Sequence, residues 1–285
     1  MKEVGHLRSP TAEQSITVYS AGSRSSLTDG LQSLWARRGL LFHLVRQDLQ
    51  KRYRASFLGF VWTLLNPLLL TLVLWLVFKQ FGRGPSEKNY AMFLLAGVMI
   101  YNFFSQAVST GQLSLVASRP LLLRSNVPKL IFPVRSVLSL FVHMLFFLVV
   151  YLALLGIMGI GYSWSNFAVL GVLPMIFALS AGAGIGMAIA NSFFRDFEHL
   201  TGILLRLLFY LTPIIYPLDF LGPRARALIS FNPLVYPVML CRDSLYYQVV
   251  SGPEVWALGY SMAALTLLLG LVVFSATENK LIYYI

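Results

Sequence analysis

The residues able to do covalent or metal chemistry are few and scattered. His6, His43, His143 and His199 form neither an H-E-x-x-H pattern nor any tight cluster, and only His143 lies deep in an apolar run. The single cysteine, Cys241, excludes an intrachain disulfide and a multi-cysteine metal site, and reads as a packing residue. Gly-Lys never occurs, so the phosphate-cradling run G-x-x-x-x-G-K-[ST] is absent and the chain has no P-loop of its own. No Ser-His-Asp or Cys-His set falls on one level of the chain, and carboxylates are scarce in the apolar runs, which argues against both a covalent enzyme and a proton-relay carrier. What remains are fixed charges and rings in unusual places. Arg206 sits inside an apolar run, roughly 12 Å along a helix from Glu198 at about 1.5 Å per residue, so it is either a functional charge or one that pairs or snorkels. Tyr101, Phe103, Phe104, Tyr210 and Tyr216 can offer flat apolar faces to a passing substrate, or can simply fill a core.

The elements that must position these groups are membrane spans. The chain has 285 residues, 12% of them charged, and a mean hydropathy of +0.71, more apolar surface than a soluble domain needs. The fold class is therefore an all-α integral membrane protein. Six apolar segments of bilayer length are predicted, at about Phe57–Phe78, Ala91–Val108, Arg135–Ile157, Phe167–Ala190, Leu200–Pro217 and Val255–Ala276. Before them, Met1–Gly30 has no compact apolar region or small-residue cleavage pattern and reads as a mobile tail, and residues 31–55 read as an amphipathic interface helix with Trp35 at headgroup depth. Residues 218–250, cut by prolines at 217, 223, 233 and 237, read as short interfacial or re-entrant helices.

The net charge of +11 would suggest nucleic acid in a soluble protein. Here the cations flank apolar runs, where they set orientation and meet anionic headgroups. Six crossings place both termini and most of the Lys and Arg on the cytoplasmic side, although Arg224, Arg226 and Arg242 on the outer side weaken that balance. In the fourth span, Gly182, Gly184 and Gly186 form a small-residue ladder suited to close helix contact.

The run RQDLQKRYRASFLGFVWTLLNPLL, from Arg46, resembles the signature at the start of the permease subunit of ATP-binding-cassette exporters for O-antigen, capsular and teichoic polymers. The later segments extend that resemblance over nearly the whole chain after Leu31, including a Pro-flanked basic loop after the second span and FNPLVYPVMLCRDSLYY before the last. The resemblance implies a homodimeric channel in the bacterial inner membrane with two copies of a separate ATPase, which binds the ATP and Mg that this chain does not. It implies a lipid-linked polysaccharide as cargo, gate helices within residues 218–250, and a coupling helix in Pro120–Lys129 with Arg119, Leu122, Arg124 and Lys129 at the ATPase contact. Those cations also serve the positive-inside rule. Arg52 and Arg54 become candidates for meeting the cargo pyrophosphate, or ordinary phospholipid, at the inner leaflet. Another cargo, such as a drug or a lipid, and a membrane transferase acting on lipid-linked sugars are the alternative functions.

Overall fold

The computed structural model describes residues 27–54, 59–80, 89–124 and 127–284. The expected N-terminal tail lies outside them up to residue 26, as do the side chains of Arg52, Arg54 and Arg124. Every described segment is helix or connection, and no strand is present among the described residues. In chain order the helices are α1 Leu27–Ala36, α2 Arg38–Arg54, α3 Gly59–Gln80, α4 Tyr90–Ala117, α5 Arg119–Arg124, α6 Ile131–Ile157, α7 Val169–Phe193, α8 Phe197–Leu211, α9 Pro223–Ile229, α10 Val235–Leu245 and α11 Pro253–Tyr284. Among the described residues four helical segments are long and apolar enough to cross a membrane, namely α4, α6, α11 and the segment Trp164–Phe193 that contains α7. A shorter apolar stretch, Leu65–Phe78, lies within α3.

The bundle is built around α7, which packs on α11, α4 and α6. Its glycines explain that centrality. A Cβ on Gly182 would stand 2.5 Å from the backbone of Leu267 in α11, and one on Gly111 in α4 would stand 3.1 Å from the Cα of Gly184. The expected small-residue ladder is therefore used on two faces at once, each bringing helix backbones into contact. Gly186 meets nothing within 4 Å and plays no such part. Apolar side chains fill the middle of the bundle, where Cys241, fully buried, is one packing residue among them. A second apolar cluster joins Leu41, Leu44 and Val45 of α2 to Leu115, Phe132, Ile189 and Leu281 at the end of the bundle that carries most of the cations.

Several boundaries differ from the sequence expectation. Helix α4, which holds the second predicted span, continues past Val108 to Ala117, and polar residues in that part are satisfied inside the bundle. Thr110 donates to the Gln106 carbonyl at 2.7 Å, and Gln112 and Asn191 of α7 bond one another at 3.4 to 3.5 Å. The third begins at Ile131, with Pro133 in its first turn, where the lost amide costs nothing. The interface helix is two helices, α1 and α2, meeting at Arg37. The fifth ends at Leu211, ahead of Pro213, and at 15 residues α8 is shorter than the predicted span. Helix α11, which holds the sixth predicted span, does not stop near Ala276. It runs to Tyr284 because Leu281 is buried in the basic-end cluster and the ring of Tyr284 packs edge-on against Phe193, 4.8 Å between centroids. Helix α10 is also no surface piece, since Val235 to Val238 and Leu240 to Arg242 are all buried.

Candidate functional site

The end of the bundle opposite the cations is organised by Arg242. It is 3% exposed on α10, and its fork is divided among backbone carbonyls: Nε donates to Phe93 at 3.2 Å, and the two terminal nitrogens donate to Pro213 and Ile214. The guanidinium also lies over the Phe93 ring, 3.6 Å from its centroid, a cation–π contact strengthened by the dry surroundings. Gly97 makes room for it, because a Cβ there would stand 2.6 Å from an Arg242 nitrogen. The carbonyls at 213 and 214 have lost helical partners where α8 breaks at Pro213, and the arginine supplies the donors they need. Tyr90 adds a second tie by donating to the Ile215 carbonyl at 2.6 Å.

The consequence is a pinned base beneath an exposed segment. Asn232 donates to the Thr212 hydroxyl at 2.9 Å and accepts the Leu234 amide at 3.0 Å, which brings the two ends of the segment 213–232 together. Between those ends, α9 and the turn Leu218–Phe220 bury no residue, and Phe220, Leu228 and Phe231 are exposed. Arg226 pairs with Asp219. Arg242 is the organising residue missed at the level of sequence, where it counted only as an outer cation. Its one legible signal was an arginine directly after the apolar stretch VYPVMLC.

The expected wall residues separate into two groups. Phe103 and Phe104 are 5% and 6% exposed in the protomer's own core, with Phe103 edge-on to Phe141 at 5.8 Å. Of the two uses open to these rings, both fill the core of this chain. Tyr101 is half-buried, donating to the Leu205 carbonyl and packing edge-on against Phe209. The second group lies on or beside α8. Thr201 is the one buried residue of that helix, and Leu200, Ile203, Leu204, Arg206, Leu207 and Tyr210 are all exposed, Tyr210 at 63%. Tyr216 is half-buried and donates to the Tyr210 carbonyl at 3.1 Å.

At the basic end, α5 is a six-residue helix, RPLLLR, joining α4 to α6. Arg119 on it is exposed and Leu122 packs on the apolar cluster. Lys129 is half-buried and donates to the Glu278 carbonyl at 2.5 Å, tying the connection after α5 to the last turns of α11. Burial pulls its ammonium below the usual lysine range, and the Glu278 carboxylate opposes that shift. Replacing Lys129 by Met is expected to loosen the end of α11, read as faster amide exchange over residues 277–284 with the rest of the helix unchanged. Unchanged exchange there would show that Leu281 and Tyr284 hold the end alone. On the neighbouring face, Trp35 and Phe42 are exposed beside Arg37 and Arg38, with Arg38 5.3 Å from the centroid of the Trp35 ring, the composition of a helix pair lying in a headgroup layer. Among the described residues no three of His, Cys, Asp and Glu converge as metal ligands would.

Comparison with known proteins places this architecture. Residues 39–246 match the family model described as ABC-2 type transporter. The chain is 28% identical over 247 residues to an O-antigen export system permease protein of Klebsiella pneumoniae, covering 86% of this chain and 92% of the relative. It is 32% identical over 225 residues to one from Myxococcus xanthus, covering 76% and 84%. A polysialic acid transport protein of Escherichia coli is 24% identical over 247 residues, covering 84% and 93%.

Proposed function

Because the chain belongs to the ABC-2 type transporter family, we propose that it is the membrane permease subunit of a polysaccharide exporter, with O-antigen as the cargo its relatives favour. A separate ATPase supplies the energy and binds the ATP and Mg. In this reading α3, α4, α6, α7, α8 and α11 are six crossings of the bacterial inner membrane, with both termini cytoplasmic. Two copies of the chain form the path. Arg242 no longer weighs against this orientation, since it is consumed by carbonyls instead of marking a loop.

Helix α5 carries the reading. It presents an exposed Arg119 while Leu122 anchors it to the same apolar cluster that holds α2, α6 and α11, so a push on α5 reaches several helices at once. Arg119, Leu122 and Arg124 form the ATPase contact, and Lys129 braces it. Helix α8 faces the second copy or the path itself: an arginine exposed among exposed leucines needs water or a protein partner, because hydrocarbon would leave its charge unsolvated. Arg206, Tyr210 and Tyr216 are accordingly the wall residues, and Arg52 and Arg54 receive the lipid-linked end of the polymer. Within residues 218–250, the part from Leu218 to Phe231 is the outer gate.

The test is double charge reversal, Arg119→Glu with Arg124→Glu, in a strain or membrane preparation carrying the partner ATPase. Association of the ATPase should weaken about tenfold, as expected when steering charges are inverted, and ATP turnover by the complex should fall with it. Normal assembly and turnover would remove α5 from the coupling role.

A further inference from the structure

A cleft of about 250 Å³ opens at the basic end between α2, α4 and α6, lined by Asp48, Lys51, Thr110, Ser136 and Ser139. The side chains that line it are polar, and Thr110 among them lies about 10 Å from the end of α4 at 1.5 Å per residue. The three hydroxyls each donate within their own helix. Thr110 donates to Gln106 at 2.7 Å, Ser136 to Phe132 at 3.1 Å and Ser139 to Ser136 at 3.0 Å, in each case to a backbone carbonyl. Their protons are used within their own helices, and the oxygens offer lone pairs to the cleft. Asp48 lies 3.3 Å from Arg135, the two side chains being 21% and 20% exposed, so that carboxylate is balanced and keeps spare acceptor capacity. Lys51, exposed on α2, adds a positive charge. The cleft thus pairs a cationic mouth with an acceptor-rich floor.

We propose that this cleft binds a lipid phosphate ester whose head group carries hydrogen-bond donors. The phosphate meets Lys51, and hydroxyl or ammonium donors of the head meet Thr110, Ser136, Ser139 and the free capacity of Asp48. The amphipathic α2 sets the mouth at headgroup depth, so the ligand arrives in the plane of the bilayer. A phosphate whose head lacks donors leaves the floor unsatisfied and is bound more weakly. This assignment is independent of the exporter reading, because both ordinary phospholipid and a lipid-linked sugar present that chemistry.

The test uses the full chain with its partner subunit in nanodiscs of mixed phosphatidylglycerol and phosphatidylcholine, and reads retained lipid by native mass spectrometry. Phosphatidylglycerol should be retained about tenfold over phosphatidylcholine, the equivalent of a set of donor contacts to one head. Two variants should each bring that ratio near unity: Ser136→Ala with Ser139→Ala, which removes acceptors without adding bulk, and Lys51→Gln, which alters one exposed charge. Displacement of phosphatidylglycerol by a polyprenyl-phosphate-linked hexose assigns the site to the cargo lipid, and failure to displace it assigns the site to ordinary phospholipid. Equal retention of the two phospholipids by the wild-type protein, or a ratio untouched by both variants, overturns the proposal.

Discussion

Arg242→Met should cost the protein most of its stability and, with it, export. Methionine fills part of the volume, yet it leaves the carbonyls of Pro213 and Ile214 without their donors in the interior and removes the second donor from Phe93, whose carbonyl keeps its helical bond in α4. Each unsatisfied buried acceptor costs about 1–3 kcal/mol, so the sum reaches several kcal/mol, a large part of the roughly 5–15 kcal/mol by which a folded protein is held. Arg242→Lys should fall between, because one ammonium keeps the charge but cannot span three carbonyls in the plane of a fork or stack its face on Phe93. The order wild type, Lys, Met in melting temperature of the detergent-solubilised protein is the expected result. Equal melting of Arg242→Met and wild type would show that the clamp is dispensable.

The second large effect belongs to α7. Gly182→Ala places a methyl group 2.5 Å from the backbone of Leu267, and backbone cannot rotate aside as a flexible side chain can. A Cβ on Gly270 of α11 would run into the backbone of Gly182 in return, so the two helices touch along this face and would have to separate to admit the methyl group. Overpacking of this kind costs about 1–3 kcal/mol, and more where rigid elements must move. Gly186→Ala on the same helix is the internal control. It meets nothing within 4 Å and should be neutral or stabilising by a few tenths to about 1 kcal/mol, since alanine favours helix over glycine. Similar melting of the two variants would contradict the account of the ladder.

The apolar core of each long helix was legible because bilayer length and hydropathy are properties of a single segment. The ladder in α7 was legible as a motif, but its partners were not: Gly111 and Leu267 are distant in sequence, and nothing local says which glycine meets which helix. Helix ends were misplaced where polar residues bond inside the bundle, as Thr110 and Gln112 do, since a polar residue reads as an exit from the membrane until its partner is known. The continuation of α11 past Ala276 depends on Leu281 and on Lys129, 149 residues from the carbonyl it binds. Arg242 illustrates the same limit for the site. Its chemistry is fixed by a break at Pro213 and by Phe93, both far from it along the chain. Phe103 and Phe104 were drawn into the wall by their type alone, whereas only packing separates a core ring from a surface one.

The central claim is that this chain forms a path for a lipid-linked polysaccharide powered by a separate ATPase. Its most direct test is transport in proteoliposomes containing the chain and its partner ATPase, with labelled lipid-linked polymer supplied on the ATPase side and its appearance in the lumen measured. The account predicts polymer uptake that requires both subunits and hydrolysable ATP and is lost in Arg119→Glu with Arg124→Glu. Uptake that persists without the ATPase or without ATP would contradict it, as would ATP-driven turnover by an assembled complex that moves no polymer.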